Sequence, residues 1–217
     1  MIDIESVEAI IFNLGGVILN IDYPKTILAF DALHEADISD IYSQDDQADL
    51  FDAFEIGALS AWQFRNGLRK ILKIRCDDGA LDQAWNAMLV DIPLPRIELL
   101  EKLRSRKRLF LLSNTNPIHK LAFDKIFKAT CGDRYGHLDQ LFEQAYYSHH
   151  VGDRKPNLSM FQRVIQEQHL EPSRTLVIED KASHIAGAKK AGLQTYHLTK
   201  KETLIDLPWL QLHQTKV

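Results

Sequence analysis

Short apolar runs that alternate with helical patterns constrain the fold of this chain more than any other feature. The five runs are Glu8–Asn13, Arg108–Ser113, Gln144–Ser148, Thr175–Glu179 and Gln194–Leu198. Between the later runs, apolar residues recur with a spacing near 3.6 residues, which is typical of amphipathic helices. Strands and helices in alternation predict right-handed crossovers. We therefore predict the α/β class, with a mainly parallel sheet that is flanked by helices on both faces.

One long segment interrupts this alternation. It contains several helical patterns and no convincing strand, and the patterns lie at Thr26–Leu33, Asp46–Phe54, Ala61–Leu72 and Leu81–Leu89. Ser60 and Gln63 have the spacing of a capping box, and Gly57 suits the end of the preceding helix. We predict an inserted all-helical domain over residues 21–92 and a core domain built from residues 1–20 and 93–217.

Composition narrows the classes of partner. The chain has 217 residues, is 45% hydrophobic and carries a net charge of -4. Its charges form no long block of one sign, so nothing points to nucleic acid or to an anionic membrane. No apolar run approaches the roughly 20 residues that span a bilayer, and a secretory signal pattern is absent. We expect a cytoplasmic protein with a small-molecule ligand, and the sequence leaves its oligomeric state open.

Polar residues and glycines end four of the five runs or follow them. In an open parallel sheet, ligands bind beyond the carboxyl ends of the strands, so these residues are expected to lie together. They are Asn13, Gly15, Gly16, Ser113, Asn114, Lys155, Glu179 and Asp180. Carboxylates suit a metal ion, hydroxyl and amide groups suit phosphate oxygens, and glycine permits close backbone approach. The pattern indicates a site for a phosphate group and a metal ion.

These segments, in this order, resemble the four motifs of the haloacid dehalogenase superfamily. The helical insert after the first motif is similar to the helical cap of the first subfamily, which implies a Rossmann-like core with a cap domain. The runs IFNLGGVILNID, LLSNTN and VGDRKPN look most like the branch that contains the glucose-1-phosphate phosphatases. The resemblance covers nearly the whole chain. It implies a Mg²⁺-dependent phosphatase of small phosphorylated metabolites, with sugar phosphates as one candidate class.

The resemblance also implies roles at the metal. In active relatives, the residue at position 13 is an aspartate that attacks phosphorus, becomes a phosphoaspartate and is then hydrolysed. The same residue ligates Mg²⁺. The backbone carbonyl of Gly15 and the carboxylates of Glu179 and Asp180 match the remaining ligands. The metal set implied for this chain is therefore Asn13, Gly15, Glu179 and Asp180.

Further roles concern the phosphoryl group. Ser113 and Asn114 match the second motif, which binds phosphate oxygens. Lys155 matches the lysine that neutralises the charge of the nucleophile and of the transferring group. The turn at Gly15 and Gly16 lets the backbone approach that group closely. With Asn13 at the nucleophile position, Ser113 and Lys155 complete the catalytic set that the resemblance implies.

The chain departs from the family pattern at four positions. A carboxamide at Asn13 is a far weaker nucleophile than a carboxylate and brings no charge to the metal. Gly15 stands where many relatives have a second aspartate, which transfers protons. Asn157 and His184 stand where relatives often have aspartate and asparagine. We expect phosphate binding to persist while aspartyl-phosphate chemistry is impaired.

Alternatives remain open at this stage. A non-catalytic protein that binds phosphorylated metabolites, or a regulatory protein, could use the same fold. A dehalogenase would use an aspartate at position 13 on carbon and needs no Mg²⁺, so the Glu179-Asp180 pair argues against it. Asn13 is compatible with a natural change and with a substitution introduced to trap a ligand.

The insert and the end of the chain carry weaker signals. Most of six aromatic residues are expected in the core of the cap, with one or two facing the substrate, and they are Tyr42, Phe51, Phe54, Trp62, Phe64 and Trp85. Asp22, Tyr23 and Arg65 are candidates for substrate selection, because caps of this kind close over the site. The last dozen residues, with Pro208 and Trp209, are expected to form a loosely attached tail.

Overall fold

A computed structural model of the chain describes residues 2–33, 44–199 and 201–210. Five strands form one sheet in the order β3-β2-β1-β4-β5, and all neighbouring strands are parallel. The strands are β1 (Ala9–Phe12), β2 (Arg108–Ser113), β3 (Gln144–Tyr147), β4 (Thr175–Glu179) and β5 (Gln194–His197). The predicted α/β class and parallel sheet are confirmed.

Nine α-helices lie in the described residues, and four of them cover the two faces of this sheet. The nine helices are α1 (Tyr23–Asp31), α2 (Gln44–Glu55), α3 (Ala61–Leu72), α4 (Asp78–Asn86), α5 (Leu94–Leu103), α6 (Pro117–Cys131), α7 (Ser148–Val151), α8 (Leu158–Glu167) and α9 (Ala182–Lys190). Successive strand residues point to opposite faces. Ile10 therefore packs in a cluster with α5 and α6, whereas Ile11 packs in a second cluster with α8 and α9. Burial on both sides explains why the strands are continuously apolar.

Helices α1 to α4 lie in the predicted insert, and the described residues between Tyr23 and Asn86 contain no strand. Their shared apolar cluster includes Phe64, Leu68 and Leu72, which are four residues apart on one face of α3. The predicted capping box at the start of α3 is present, with Ser60 as its N-cap. The boundaries of cap and core remain a prediction.

The cap aromatics are mostly in the core, as expected, and Trp62 is the exception among those described. Trp62 is 67% exposed, because it precedes Phe64 by two residues and so lies about 200° away around α3. Phe54 and Phe64 are buried, and Phe51 and Trp85 pack against the same cluster. Tyr42 lies outside the described residues.

Two short segments connect the cap to the core, and they are hydrogen-bonded to each other. The Asn20 amide donates to the Asp91 carbonyl at 2.9 Å, and the Val90 amide donates to the Asn20 carbonyl at 3.0 Å. The Asp22 amide donates to the Met88 carbonyl at 2.9 Å. The chain therefore enters and leaves the cap through one paired stem.

The cap also contacts the core between α2 and the loop after α7. Arg154 of this loop forms ion pairs with Asp52 and with Glu55, the latter at 3.2 Å. Beyond the end of α2, Gly57 has a φ of +73°, and a Cβ there would lie 2.3 Å from the carbonyl oxygen of His149. Only glycine allows the two segments to approach so closely.

The end of the chain differs from the expected loose tail as far as it is described. Leu207 and Leu210 are buried, and the Trp209 ring lies 4.9 Å from the Tyr196 ring. Apolar side chains therefore attach residues 206–210 to the core. Residues 211–217 lie outside the described ranges. Within those ranges, no helix has the length and apolarity needed to cross a bilayer.

Candidate active site

The parallel register brings the predicted residues to one edge of the sheet. Phe12 of β1 pairs with Leu111 of β2 and with Ile178 of β4, so the residues that follow these positions are neighbours. The Asn13 amide donates to the Ile178 carbonyl at 3.0 Å, which continues the ladder by one residue. Asn13 and Glu179 therefore lie side by side although they are far apart in sequence.

The carboxamide of Asn13 is hydrogen-bonded on both sides and is only 8% exposed. Its Nδ2 lies 2.8 Å from the Gly15 carbonyl oxygen, 3.0 Å from Glu179 Oε1 and 2.8 Å from Asp180 Oδ1. Its Oδ1 accepts from Lys155 Nζ at 2.9 Å. Three oxygen atoms from three residues thus surround one point, and the amide nitrogen occupies that point.

This donor set fits a hard divalent cation. Mg²⁺ binds oxygen atoms, usually through one or two carboxylates together with neutral oxygens. Here the carboxylates belong to Glu179 and Asp180, and the Gly15 carbonyl supplies a neutral oxygen. Nowhere in the described part of the chain do three His, Cys, Asp or Glu side chains group as metal ligands. A cation at this site would therefore depend on carbonyl and amide oxygens as well.

Lys155 is buried, and all three of its ammonium protons have acceptors. Nζ donates to Asn13 Oδ1 at 2.9 Å, to the Leu112 carbonyl at 2.8 Å and to Glu179 Oε2 at 2.5 Å. Burial lowers the pKa of Lys155, although the Glu179 carboxylate opposes this shift. The short contact between two fully buried groups favours the charged pair.

Asn114 fixes the backbone of Lys155. Its Nδ2 donates to the Lys155 carbonyl at 2.9 Å, and its Oδ1 accepts from the Lys155 amide at 2.9 Å. Both ends of the Asn114 carboxamide are therefore occupied. In this arrangement the side chain positions Lys155, and phosphate binding by Asn114 stays a prediction.

Glu179 and Asp180 have different surroundings. Glu179 is fully buried, and its Oε1 also accepts from the backbone amides of Asp180 and Lys181. Burial alone would raise its pKa, but the Lys155 ammonium holds the pKa of Glu179 well below its usual range. The His184 Nδ1 lies 3.0 Å from Glu179 Oε2.

Asp180 is the more accessible carboxylate. Burial and the neighbouring Glu179 raise the pKa of Asp180 to about 6, a shift that a bound cation would reverse. Gly16 lies directly against this side chain, since a Cβ at Gly16 would be 2.3 Å from Asp180 Oδ2. The turn after β1 therefore needs glycine to accommodate Asp180, which is the better placed of the two acids to ligate a metal.

Ser113 retains a nearly free hydroxyl. It is buried at the end of β2, and its Oγ makes only a 3.4 Å contact with the Asn114 carbonyl. A hydroxyl with so weak a partner can turn toward a phosphate oxygen. Ser113 thus fits the phosphate-binding role that the motif implies.

A cavity of about 130 Å³ opens beside this cluster and is closed by the cap. Gly15, Ser113 and Asn114 line it on the core side, and Tyr23 and Glu55 line it on the cap side. Among the three cap residues proposed for substrate selection, Tyr23 alone lines this cavity. Asp22 is absent from its lining, and the Arg65 guanidinium instead pairs with Asp82 at 2.7 Å.

Trp85, one of the cap aromatics, also lines the cavity, together with His119, Lys181 and Glu55, which carried no recognisable sequence signal. Trp85 stacks on His119 with ring centroids 4.6 Å apart, and the His119 Nδ1 lies 2.8 Å from Asn86 Oδ1. Burial lowers the pKa of His119 to about 3, so the ring is neutral. Lys181 and Glu55 add charge at the cavity mouth. Their sequence neighbourhoods are those of ordinary surface residues, so only the closed cap identifies them.

Comparison with known proteins supports the resemblance to the haloacid dehalogenase superfamily. A family model described as haloacid dehalogenase-like hydrolase matches residues 7–192. The chain is 29% identical over 194 residues to a D-ribitol-5-phosphate phosphatase of Bacteroides thetaiotaomicron, which covers 88% of this chain and 91% of the relative.

Solved structures agree. A HAD family enzyme of the same bacterium, in complex with magnesium and inorganic phosphate, is 30% identical, with a TM-score of 0.78 over 91% of this chain and 97% of that one. The L-2-haloacid dehalogenase of Xanthobacter autotrophicus, at 16% identity, shares the fold alone, with a TM-score of 0.57 over 90% of this chain and 80% of that one. With its parallel sheet, its polar strand ends and a match over most of its length, the chain belongs to the haloacid dehalogenase-like hydrolases.

Proposed function

We propose that this protein binds a small phosphorylated metabolite together with Mg²⁺, at a phosphatase site whose nucleophile position holds Asn13. One observation carries the proposal: oxygens of Gly15, Glu179 and Asp180 surround the Asn13 carboxamide on one side, and Lys155 contacts it on the other. A carboxylate at position 13 would lie between a cation and an ammonium. That placement would favour its attack on phosphorus.

Asn13 is expected to limit turnover. The carboxamide oxygen accepts from Lys155, and the nitrogen is directed at the oxygens that would hold the cation. Bound Mg²⁺ would stabilise the negative charge of the transferring phosphoryl group and would orient that group. Asn13, however, offers no charged oxygen for attack, so the parent chain is expected to bind phosphate and hydrolyse phosphate esters very slowly.

The substrate class is proposed from the cavity and from the relative. A volume of about 130 Å³ favours a small compound over a large one. The D-ribitol-5-phosphate phosphatase suggests sugar or polyol phosphates as the first compounds to test. Tyr23 lines the cavity on the cap side, so Tyr23→Ala is expected to change the preference among such substrates.

A second candidate is a protein that binds a phosphorylated metabolite without converting it. The complete set of hydrogen bonds around Asn13 favours this reading, because the carboxamide is accommodated without a clash. A dehalogenase is a weaker candidate. Glu179 and Asp180 would have no metal to bind in such an enzyme.

The test compares the parent chain with Asn13→Asp on 4-nitrophenyl phosphate, D-ribitol 5-phosphate and glucose 1-phosphate, with and without Mg²⁺. We expect Asn13→Asp to gain Mg²⁺-dependent hydrolysis by about 1,000-fold or more. Asn20→Asp is a matched control, since Asn20 lies in the stem between core and cap.

Calorimetric titration with Mg²⁺ and inorganic phosphate separates the remaining outcomes. If Asn13→Asp gains no hydrolysis while both ions bind, the binding protein is the correct reading. If neither ion binds to either form, the site assignment is wrong.

A further inference from the structure

A phosphatase site built on this chain lacks an obvious proton donor. Gly15 stands two residues after the nucleophile position and has no side chain. A Cβ at Gly15 would lie only 3.1 Å from Ile21 Cγ1, so a larger residue there would push against the stem of the cap. The departing alcohol of a phosphate ester needs a proton, because an alkoxide is a poor leaving group.

Glu55 is the one carboxyl side chain among the described residues that line the cavity. It is the last residue of α2, and it reaches the cavity because Gly57 and Arg154 hold this end of the cap against the core. Its Oε2 is shielded from solvent and forms no hydrogen bond, although Arg154 lies 3.2 Å away.

The surroundings of Glu55 suit proton transfer. Burial raises the pKa of Glu55, while the charges of Lys181 and Lys155 and the nearby Arg154 guanidinium act against this shift. A carboxyl group with a raised pKa is a better proton donor near neutral pH than an exposed one. Glu55 lies on the cap and would face the leaving group, since the phosphoryl group would lie against the core.

We propose that Glu55 supplies, from the cap, the general acid and base that Gly15 cannot provide. The inference rests on the proposed function and concerns the form with a carboxylate at position 13. As that carboxylate forms its bond to phosphorus, the bond from phosphorus to the ester oxygen breaks, and this oxygen takes the proton of Glu55. Water then attacks the phosphorus of the phosphoaspartate and gives a proton to the Glu55 carboxylate. The bond from phosphorus to the oxygen of residue 13 breaks, which releases phosphate and restores the carboxylate at position 13.

The test uses the full chain with Asn13→Asp and adds Glu55→Gln, which keeps the shape and removes the acid. The readout is kcat/KM with Mg²⁺ for a series of aryl phosphates that differ in the pKa of the leaving phenol. For phenyl phosphate, whose leaving group has a pKa of about 10, we expect a loss of about 100-fold. The more acidic 4-nitrophenol needs less help, so its ester should change little.

Matched variants separate proton transfer from other roles. Asp52→Asn lies on the same helix and removes the other ion pair of Arg154, so it reports a loosened cap. It should leave the dependence on leaving-group pKa unchanged. Glu55→Asp keeps a carboxyl group on a shorter side chain, so its kcat/KM should depend on the leaving-group pKa to an intermediate degree. This variant also provides the test if Glu55→Gln does not fold.

Two results would overturn the inference. A uniform loss across the series in Glu55→Gln, or an unchanged dependence, would mean that Glu55 only binds substrate or holds the cap. Aryl phosphates carry no sugar hydroxyls, so lost hydroxyl contacts cannot imitate the expected pattern. If Asn13→Asp hydrolyses no phosphate ester at all, the proposed function fails, and the inference fails with it.

Discussion

Replacing Asn13 by aspartate should destabilise the metal-free protein and make its stability depend on Mg²⁺. In the parent chain, the Nδ2 group of Asn13 donates toward two carboxylates, Glu179 and Asp180, at 3.0 and 2.8 Å. A carboxylate at position 13 would place a third negative charge against them. The parent amide occupies the point at which a cation would bind, and the variant removes that substitute.

The size of the effect follows from these contacts. The variant loses two hydrogen bonds to charged groups, at about 1.5 kcal/mol each. The new carboxylate is also repelled by Glu179 and by Asp180 and is attracted by Lys155. The distances are similar, so the attraction cancels one repulsion and the other remains. Proton uptake by one carboxyl limits that remainder to about 1 kcal/mol near pH 7. We expect a total loss of about 4 kcal/mol, or a fall in Tm of about 12 °C.

Urea and thermal denaturation in EDTA and in Mg²⁺ measure this prediction. At 100 times its Kd, Mg²⁺ should return about 2.7 kcal/mol to Asn13→Asp and much less to the parent. Asn20→Asp is the control, because it creates a pair of carboxylates with Asp91 near the surface and should respond weakly to Mg²⁺. If Asn13→Asp is as stable as the parent in EDTA, the amide does not stand in for a cation.

Three further predictions concern other residues. Lys155→Met should lower the free energy of unfolding by about 3 to 5 kcal/mol in urea denaturation, because it leaves the buried Glu179 without its partner. The free energy of unfolding should fall as pH drops from 6.5 toward 3, because His119 is buried and neutral in the folded protein and only the unfolded chain takes up the proton. His119→Gln should remove about 1.4 kcal/mol per pH unit from this dependence. Gly57→Ala should lower Tm, because alanine combines a positive φ with a clash against His149, and a Tm equal to that of the parent would contradict the close contact.

The sheet and the residues at its carboxyl edge could be predicted from sequence because both depend on local patterns. Each buried strand is a continuous apolar run, and each run ends where the chain turns. Asn13, Ser113 and Glu179 needed only the rule that parallel strands end at one edge. The contact between Asn13 and Glu179 then follows from the register of β1 with β4.

Residues placed by the closed cap could not be predicted in this way. Glu55 ends a helix and resembles an ordinary solvated acid in sequence, and only the packing of α2 against the core brings it to the cavity. The pairing of the Asn114 carboxamide with the backbone of Lys155, 41 residues away, has no signal in the sequence either. The exposed position of Trp62 could have been predicted, because the spacing of Phe64 and Leu68 already puts Trp62 on the opposite side of α3.

The paired stem between core and cap has a consequence for engineering and for divergence. Since Asn20 and Val90 are hydrogen-bonded neighbours, the core presents two adjacent chain ends at one place on its surface. Another set of helices, or a short turn, could join those ends without changing the distance that the core must span. A different insert joined at these two ends would keep the residues at the strand ends in place, but it would replace Tyr23 and Glu55 in the lining of the cavity.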